Sequence, residues 1–188
     1  MGGVDKGLQS LHGQPLAKLA VERLRPQVGR LAINANRHLD AYRDWDVPVW
    51  PDGAESGEFA GPLAGFLSGL AQCETPYLCT VPCDTPLFPR DLVERLAQGL
   101  QASGADLAMA LAPEGHGDLR AQPVFCLLKL ELRHDLRQFM AEGGRKIDAW
   151  TARQRTARVS FSRADDAQAF LNINTLEDLQ MLQSHVSP

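Results

Sequence analysis

The sequence predicts an α/β fold in which a mostly parallel sheet carries helices on both faces. Two observations lead there. Short apolar runs alternate with segments whose apolar residues recur every three or four positions, giving a strand, helix, strand, helix order. Polar residues suited to chemistry, Asp84 above all, collect where predicted strands end, and parallel sheets bind ligands beyond the carboxyl ends of their strands.

Leu16, Leu19, Ala20 and Leu24 recur at helical spacing after Pro15, which suits a first helical turn, so residues 15–25 are expected to be helical. Leu31-Ala32-Ile33-Asn34, short and mostly apolar, predicts a buried strand, and 47–50 predicts a second. Residues 51–61 have the Gly, Asp, Glu and Ser content of a loop. Over 62–71, Leu63, Phe66, Leu67 and Leu70 share a helix face, and Tyr77-Leu78-Cys79-Thr80-Val81 then reads as another buried strand. Pro82 and Pro86 stop any regular structure around Asp84, fixing it on a turn. Leu92, Val93, Leu96 and Leu100 mark a further helix, and 107–112 a strand.

The second half is less regular. A strand over 121–127 is interrupted by Pro123, and a helix carrying Leu132, Leu136, Phe139 and Met140 stops at Gly143-Gly144, ahead of Arg145 and Lys146. Residues 157–161 predict a strand. The last helix is expected from Thr175, with Asp178 as capping-box partner and Leu176, Leu179 and Leu182 as its apolar stripe. No internal repeat stands out.

At 188 residues and 44% hydrophobic content, residues 1–188 are expected to form one domain with one substantial core. A net charge of −4 argues against a nucleic-acid partner, whose backbone calls for clustered positive charge. Apolar runs far shorter than a bilayer, and Asp5 and Lys6 where a signal peptide would be apolar, predict a cytoplasmic protein with no membrane partner. Cys73, Cys79, Cys83 and Cys126 include no C-x-x-C pair and read as buried, reduced thiols. The five histidines offer no i,i+4 pair, so a zinc site is disfavoured. A monomer is the expected state, although no feature of the sequence sets it.

Asp84 is the leading chemical candidate. An Asp between prolines can serve as a turn former, but a strand-end carboxylate also suits Mg²⁺, which takes one or two protein carboxylates and completes its shell with water and substrate phosphates. Lys6, after the Gly2-Gly3 pair, fits a turn where backbone N–H groups and an ammonium meet phosphate oxygens, or a simple lead-in. Asn34-Ala35-Asn36-Arg37 offers amides for base or ribose recognition or for a turn, and Asp52 has the same two readings. Gly61-Pro62-Leu63-Ala64-Gly65 opens a helix whose N-terminus could meet an anion. Asn172-Ile173-Asn174 would turn two amides to one side of an extended segment, which capping alone does not explain.

In this order, Gly2-Gly3-Val4-Asp5-Lys6-Gly7-Leu8, Asn34-Ala35-Asn36-Arg37, Gly61-Pro62-Leu63-Ala64-Gly65, Pro82-Cys83-Asp84-Thr85-Pro86 and Asn172-Ile173-Asn174-Thr175 resemble the molybdenum cofactor guanylyltransferase family over nearly the whole chain. The resemblance implies a Rossmann-like three-layer nucleotidyltransferase fold. It also implies transfer of GMP from Mg-GTP to molybdopterin, with release of pyrophosphate. Carried over by position, Lys6 and Asp84 are the catalytic pair, Lys6, Asn34, Asp52 and Asp84 bind GTP, Asp84 holds Mg²⁺, and Asn172 and Asn174 lie by the pterin acceptor. The family begins with an apolar strand and a Leu-Ala-Gly-Gly loop, whereas this sequence opens at the Met that follows them. If the chain begins at this Met, the central first strand is missing, and an apolar slot with open ladder edges, poor folding and weak GTP binding are expected. A related transferase using CTP or a sugar phosphate, and a catalytically inactive nucleotide or cofactor binder, stay open beside this reading.

Overall fold

The computed structural model of the chain describes residues 5–53, 61–114 and 118–173. A 3-10 turn over Lys6–Leu8 leads into a hairpin of β1 (Ser10–Leu11) and β2 (Gln14–Pro15), whose two-residue turn places both His12 and Gly13 at positive φ. Helix α1 (Leu16–Leu24) follows at once and buries Leu16, Ala17, Ala20, Val21 and Leu24; Pro15 is its N-cap rather than part of its first turn. Next come β3 (Ile33–Asn34), α2 (Leu39–Arg43) and β4 (Val49–Trp50), with β3 and β4 paired in parallel. The chain continues through α3 (Pro62–Gln72), β5 (Tyr77–Thr80), α4 (Leu92–Ser103), β6 (Leu107–Glu114), β7 (Asp118–Lys129), α5 (Leu132–Ala141), α6 (Ile147–Thr151) and β8 (Thr156–Ser160).

The main sheet has four strands in the order β5-β7-β6-β8. Strands β5, β6 and β8 run one way and β7 alone runs back, so the shared direction matches the expected parallel sheet. The pairings of β7 are nevertheless antiparallel, because only a few residues connect β6 to β7 and a parallel neighbour needs a long crossover. The ladder shifts register between Met109 and Ala110, opposite Pro123, which has no N–H to give.

Helices cover both faces, which makes three layers. On one face Leu92, Leu96 and Leu100 of α4 meet Phe88, Phe125, Phe161 and Phe170, with ring pairs edge-on at 4.9–5.9 Å. On the other, Leu63, Phe66 and Leu70 of α3 pack with Leu136 of α5 and Trp150 of α6 against Leu128. Helices α2 and α6, five residues each, are too short to show a period in the sequence.

The β3–β4 pair is a separate sheet. Among the described residues the facing edges of β3 and β5 are unpaired, and a cavity of about 1390 Å³ lies between them, walled by Ala17, Val21, Ile33, Phe66, Leu78 and Ala97 among others. This gap corrects the expected burial of both strands: Ile33 is half-buried, Asn34 exposed, and Tyr77 keeps 43% of its surface. The cysteines are corrected for the same reason. All four are free, but only Cys126 is buried; Cys73 and Cys79 are half-buried and Cys83, on the turn past β5, is exposed. The helix expected from Thr175 lies outside the described residues. No described helix is long and apolar enough to cross a membrane.

Candidate active site

Asp84 sits on the turn just past β5, at the mouth of the cavity, where the flanking prolines were expected to hold it. Its side chain is 17% exposed, and Oδ2 lies 3.3 Å from Lys6 Nζ. The lysine reaches it because its own turn is anchored. Asp5 caps the 3-10 turn by accepting from Gly7 N at 3.0 Å, and Tyr42, 3% exposed, donates its hydroxyl to the same oxygen at 2.9 Å. Desolvation first, then that hydrogen bond, raises the tyrosine's pKa and keeps it a donor. Gly7 has no room for a side chain: a Cβ would stand 2.9 Å from the Tyr42 hydroxyl oxygen.

At the ends of β3 and β4, Asn34 Nδ2 donates to Trp50 O and to Asp52 Oδ1, both at 3.0 Å. Asn36 closes a ring on the same carboxylate: its Nδ2 donates to Asp52 Oδ2 at 2.7 Å, and its Oδ1 accepts from Asp52 N at 2.8 Å. The sequence reading missed this role of Asn36, although the alternation of an extended Asn-x-Asn segment already put both amides on one side. The Asn34 carbonyl oxygen points at α3, where a Cβ on Gly65 would come within 2.7 Å of it. A bare backbone at Gly65 is what lets α3 approach the amide.

The segment carrying Asn172 closes the mouth from the other side. Ile173 N donates to Asp84 O at 2.8 Å, Ile173 is 1% exposed against Leu11 and Leu16, and Thr85 Oγ1 donates to Asn172 Oδ1 at 2.5 Å. Lys6, Asn34, Asp84 and Asn172 thus line one cavity, with Asp52 tied to it through Asn34. Asn174 lies outside the described residues. Thr85 stands in the Pro82-Cys83-Asp84-Thr85-Pro86 motif, but nothing in the sequence pointed to its bond with Asn172, because that partner is 87 positions away.

The donor set can be tested against the metals considered. Among the described residues no three His, Cys, Asp or Glu side chains gather as metal ligands. Partial desolvation of its sulfur, then the carboxylates of Asp84 and Asp5, push the Cys83 thiol up to about 11. The described residues therefore assemble no tetrahedral zinc cage. A single hard carboxylate, open to a cavity and paired with a displaceable ammonium, fits Mg²⁺, which draws most of its ligands from water and phosphate.

A three-layer α/β frame with a lysine turn and a strand-end carboxylate paired at the mouth of a cleft defines a nucleotidyltransferase-type domain. The family model described as MobA-like NTP transferase domain matches residues 1–159, and the chain belongs to that family. A molybdenum cofactor guanylyltransferase from Acidovorax ebreus (strain TPSY) is 57% identical over 189 residues, covering 97% of this chain and 89% of the relative. Another of that name, from Bordetella pertussis, is 54% identical over 184 residues, covering 98% and 90%. Among solved structures, molybdopterin-guanine dinucleotide biosynthesis protein A from Archaeoglobus fulgidus superposes with a TM-score of 0.77 at 18% identity, covering 97% of this chain and 91% of that one. That likeness shows the fold. The resemblance read from the sequence motifs holds.

Proposed function

We propose that the chain transfers GMP from Mg-GTP to molybdopterin, forming the guanine dinucleotide and releasing pyrophosphate. The single observation that carries this reading is the approach of Lys6 Nζ to Asp84 Oδ2, 3.3 Å apart at the mouth of a cleft, in a member of the MobA-like family. An ammonium and a carboxylate held together at a strand end are what a metal-bound triphosphate needs: the carboxylate takes the cation, and the lysine is released to the phosphates.

The roles follow from position. Lys6 contacts the GTP phosphates, and its turn is kept in place by Asp5 and Tyr42. Asn34 and Asp52 bind the nucleotide, their amide and carboxylate groups already ordered by Asn36. Asp84 is the Mg²⁺ ligand, and Asn172 with Asn174 receives the acceptor. Bound there, Mg²⁺ would withdraw charge from the phosphates and so favour departure of pyrophosphate. The protein has little covalent work to do. An acceptor phosphate oxygen forms a bond to the α-phosphorus while the bond to the pyrophosphate oxygen breaks, and catalysis comes from alignment and from Lys6 offsetting developing charge. The reading includes action in the cytoplasm on small substrates, in keeping with a net charge of −4 that gives no purchase on a polynucleotide.

The test is incubation with Mg-GTP and molybdopterin, followed by assay of guanine dinucleotide and pyrophosphate, with CTP and ATP as comparators. GTP should be the preferred donor, and Asp84→Ala should lower turnover by about a thousandfold or more without unfolding the protein. Turnover that survives Asp84→Ala, or preference for CTP, sinks the assignment.

A further inference from the structure

Next to the proposed metal ligand stands a fully buried hydroxyl. Thr85 is 0% exposed, and the partner of its Oγ1 is Asn172 Oδ1 at 2.5 Å. A carboxamide has an accepting end and a donating end, and which one faces a neighbour depends on what that neighbour requires. The buried hydroxyl hydrogen of Thr85 needs an acceptor, and the carbonyl end of Asn172 provides it. Turning the amide over would leave that hydrogen without this acceptor, because the hydroxyl could then only receive a bond from the amide N–H. The amide NH₂ is therefore directed away from Thr85, on a residue that lines the same cavity as Lys6 and Asp84. The backbone prevents a compensating swing, since Ile173 is clamped by its N–H bond to Asp84 O and by burial against Leu11 and Leu16.

We infer that Thr85 is a positioning residue for the acceptor side of the site: it sets the orientation of Asn172 so that the amide offers N–H donors to an anionic oxygen of a phosphomonoester. This rests on the proposed GMP transfer to a phosphorylated acceptor. Ionised phosphate oxygens accept hydrogen bonds and donate none. A donor end facing the acceptor favours its approach, whereas a carbonyl end would repel it.

The experiment measures steady-state kinetics of the full chain with GTP and molybdopterin each varied, together with equilibrium binding of Mg-GTP. Thr85→Val should raise the acceptor KM by about tenfold while the Mg-GTP Kd stays within about twofold, and Thr85→Ser should restore the acceptor KM. Asn172→Ala should raise the acceptor KM similarly, with Thr85→Val adding nothing on top of it. A residue that only supports the fold would instead weaken Mg-GTP binding in step and add to Asn172→Ala. Either result overturns the inference, as does an unchanged acceptor KM in Thr85→Val. If Thr85→Val does not fold, Asn172→Asp carries the test, because it keeps the acceptor for Thr85 and exchanges the NH₂ for oxygen; a wild-type acceptor KM there is equally fatal. Wild-type protein that forms no dinucleotide overturns the transferase reading and this one with it, whereas an active wild type with an indifferent Thr85→Val overturns this one alone.

Discussion

On one side of β5 the sheet continues and on the other it stops. Strands β7 and β6 have a partner along both edges and helices over both faces. Between β5 and β3 no ladder forms among the described residues, and side-chain contacts rather than a strand ladder tie the β3–β4 pair to the rest, with Val28 and Leu31 just ahead of β3 packing on the core. Ser68 Oγ donates to Pro51 O at 2.9 Å, and Arg30 pairs with Glu74 across the base of the cavity. Both members of that ion pair are exposed, at 72% and 69%, so it contributes at most about 1 kcal/mol. Stability therefore resides in the closed half of the molecule, and the proposed chemistry sits along the open seam, where Lys6, Asn34, Asp84 and Asn172 meet.

The largest effect that could break this contrast comes from truncating one large side chain on each side. Trp150 is fully buried, edge-on to Phe66 at 6.4 Å, and donates its ring N–H to Asp135 at 2.8 Å. Trp150→Ala should cost about 3–5 kcal/mol in urea unfolding, since it removes packing on every side and orphans a hydrogen-bond partner. Leu78 is half-buried and faces the cavity, so Leu78→Ala should cost about 1 kcal/mol. Equal losses would mean the seam is packed as tightly as the core.

The same division explains which features could be read in the sequence. Leu92, Leu96 and Leu100 on α4 and Leu63, Phe66 and Leu70 on α3 were legible because burial of one helix face imposes its own period. The reversed direction of β7 was not, because strand direction depends on pairing and connection rather than composition. Asp84 and Lys6 were legible as local patterns, a proline-flanked strand end and a glycine-lysine turn. The Thr85–Asn172 bond and the Tyr42–Asp5 bond that steadies the lysine turn were not, since each joins residues far apart in the chain. The exposed edge of β5 was also misjudged from its own residues: Tyr-Leu-Cys-Thr looks like a buried strand, and whether it is buried depends on its neighbour.

A smaller effect sharpens the contrast through pH. At the end of the closed sheet away from Asp84, Asp106 accepts from Arg155 Nε at 2.7 Å and Lys129 Nζ at 2.9 Å, joining β6, β7 and β8. Hydrogen bonds from Arg155 and then Lys129 hold its carboxyl at about 2, against an ordinary value of 3.8. Because the folded value is the lower one, the stabilisation is intact above about pH 4 and disappears as the pH falls toward 2. Asp106→Asn should flatten that acid limb, so the gap in urea midpoint between wild type and variant should shrink from pH 5 to pH 2.5. Salt should narrow the gap as well, because Arg155 is 72% exposed. Parallel pH profiles for the two proteins would show that this charge cluster does not anchor the closed half.

The smallest effect leaves stability untouched and reads the seam directly. Cys79 on β5 lines the cavity, whereas Cys126, across the ladder on β7, packs into the core between α3 and α5. Burial pushes the Cys79 thiol up to about 12, so at pH 8 its thiolate is scarcer than that of an ordinary cysteine by roughly three orders of magnitude. A small alkylating reagent should modify Cys79 slowly, at a rate that climbs about tenfold per pH unit, while Cys126 reacts only through unfolding and stays insensitive to pH by comparison. Mass spectrometry of the labelled peptides separates the two sites. If Cys79 proves as protected as Cys126 across the pH range, the edge of β5 is covered in solution, and the open seam is not the state in which the site works.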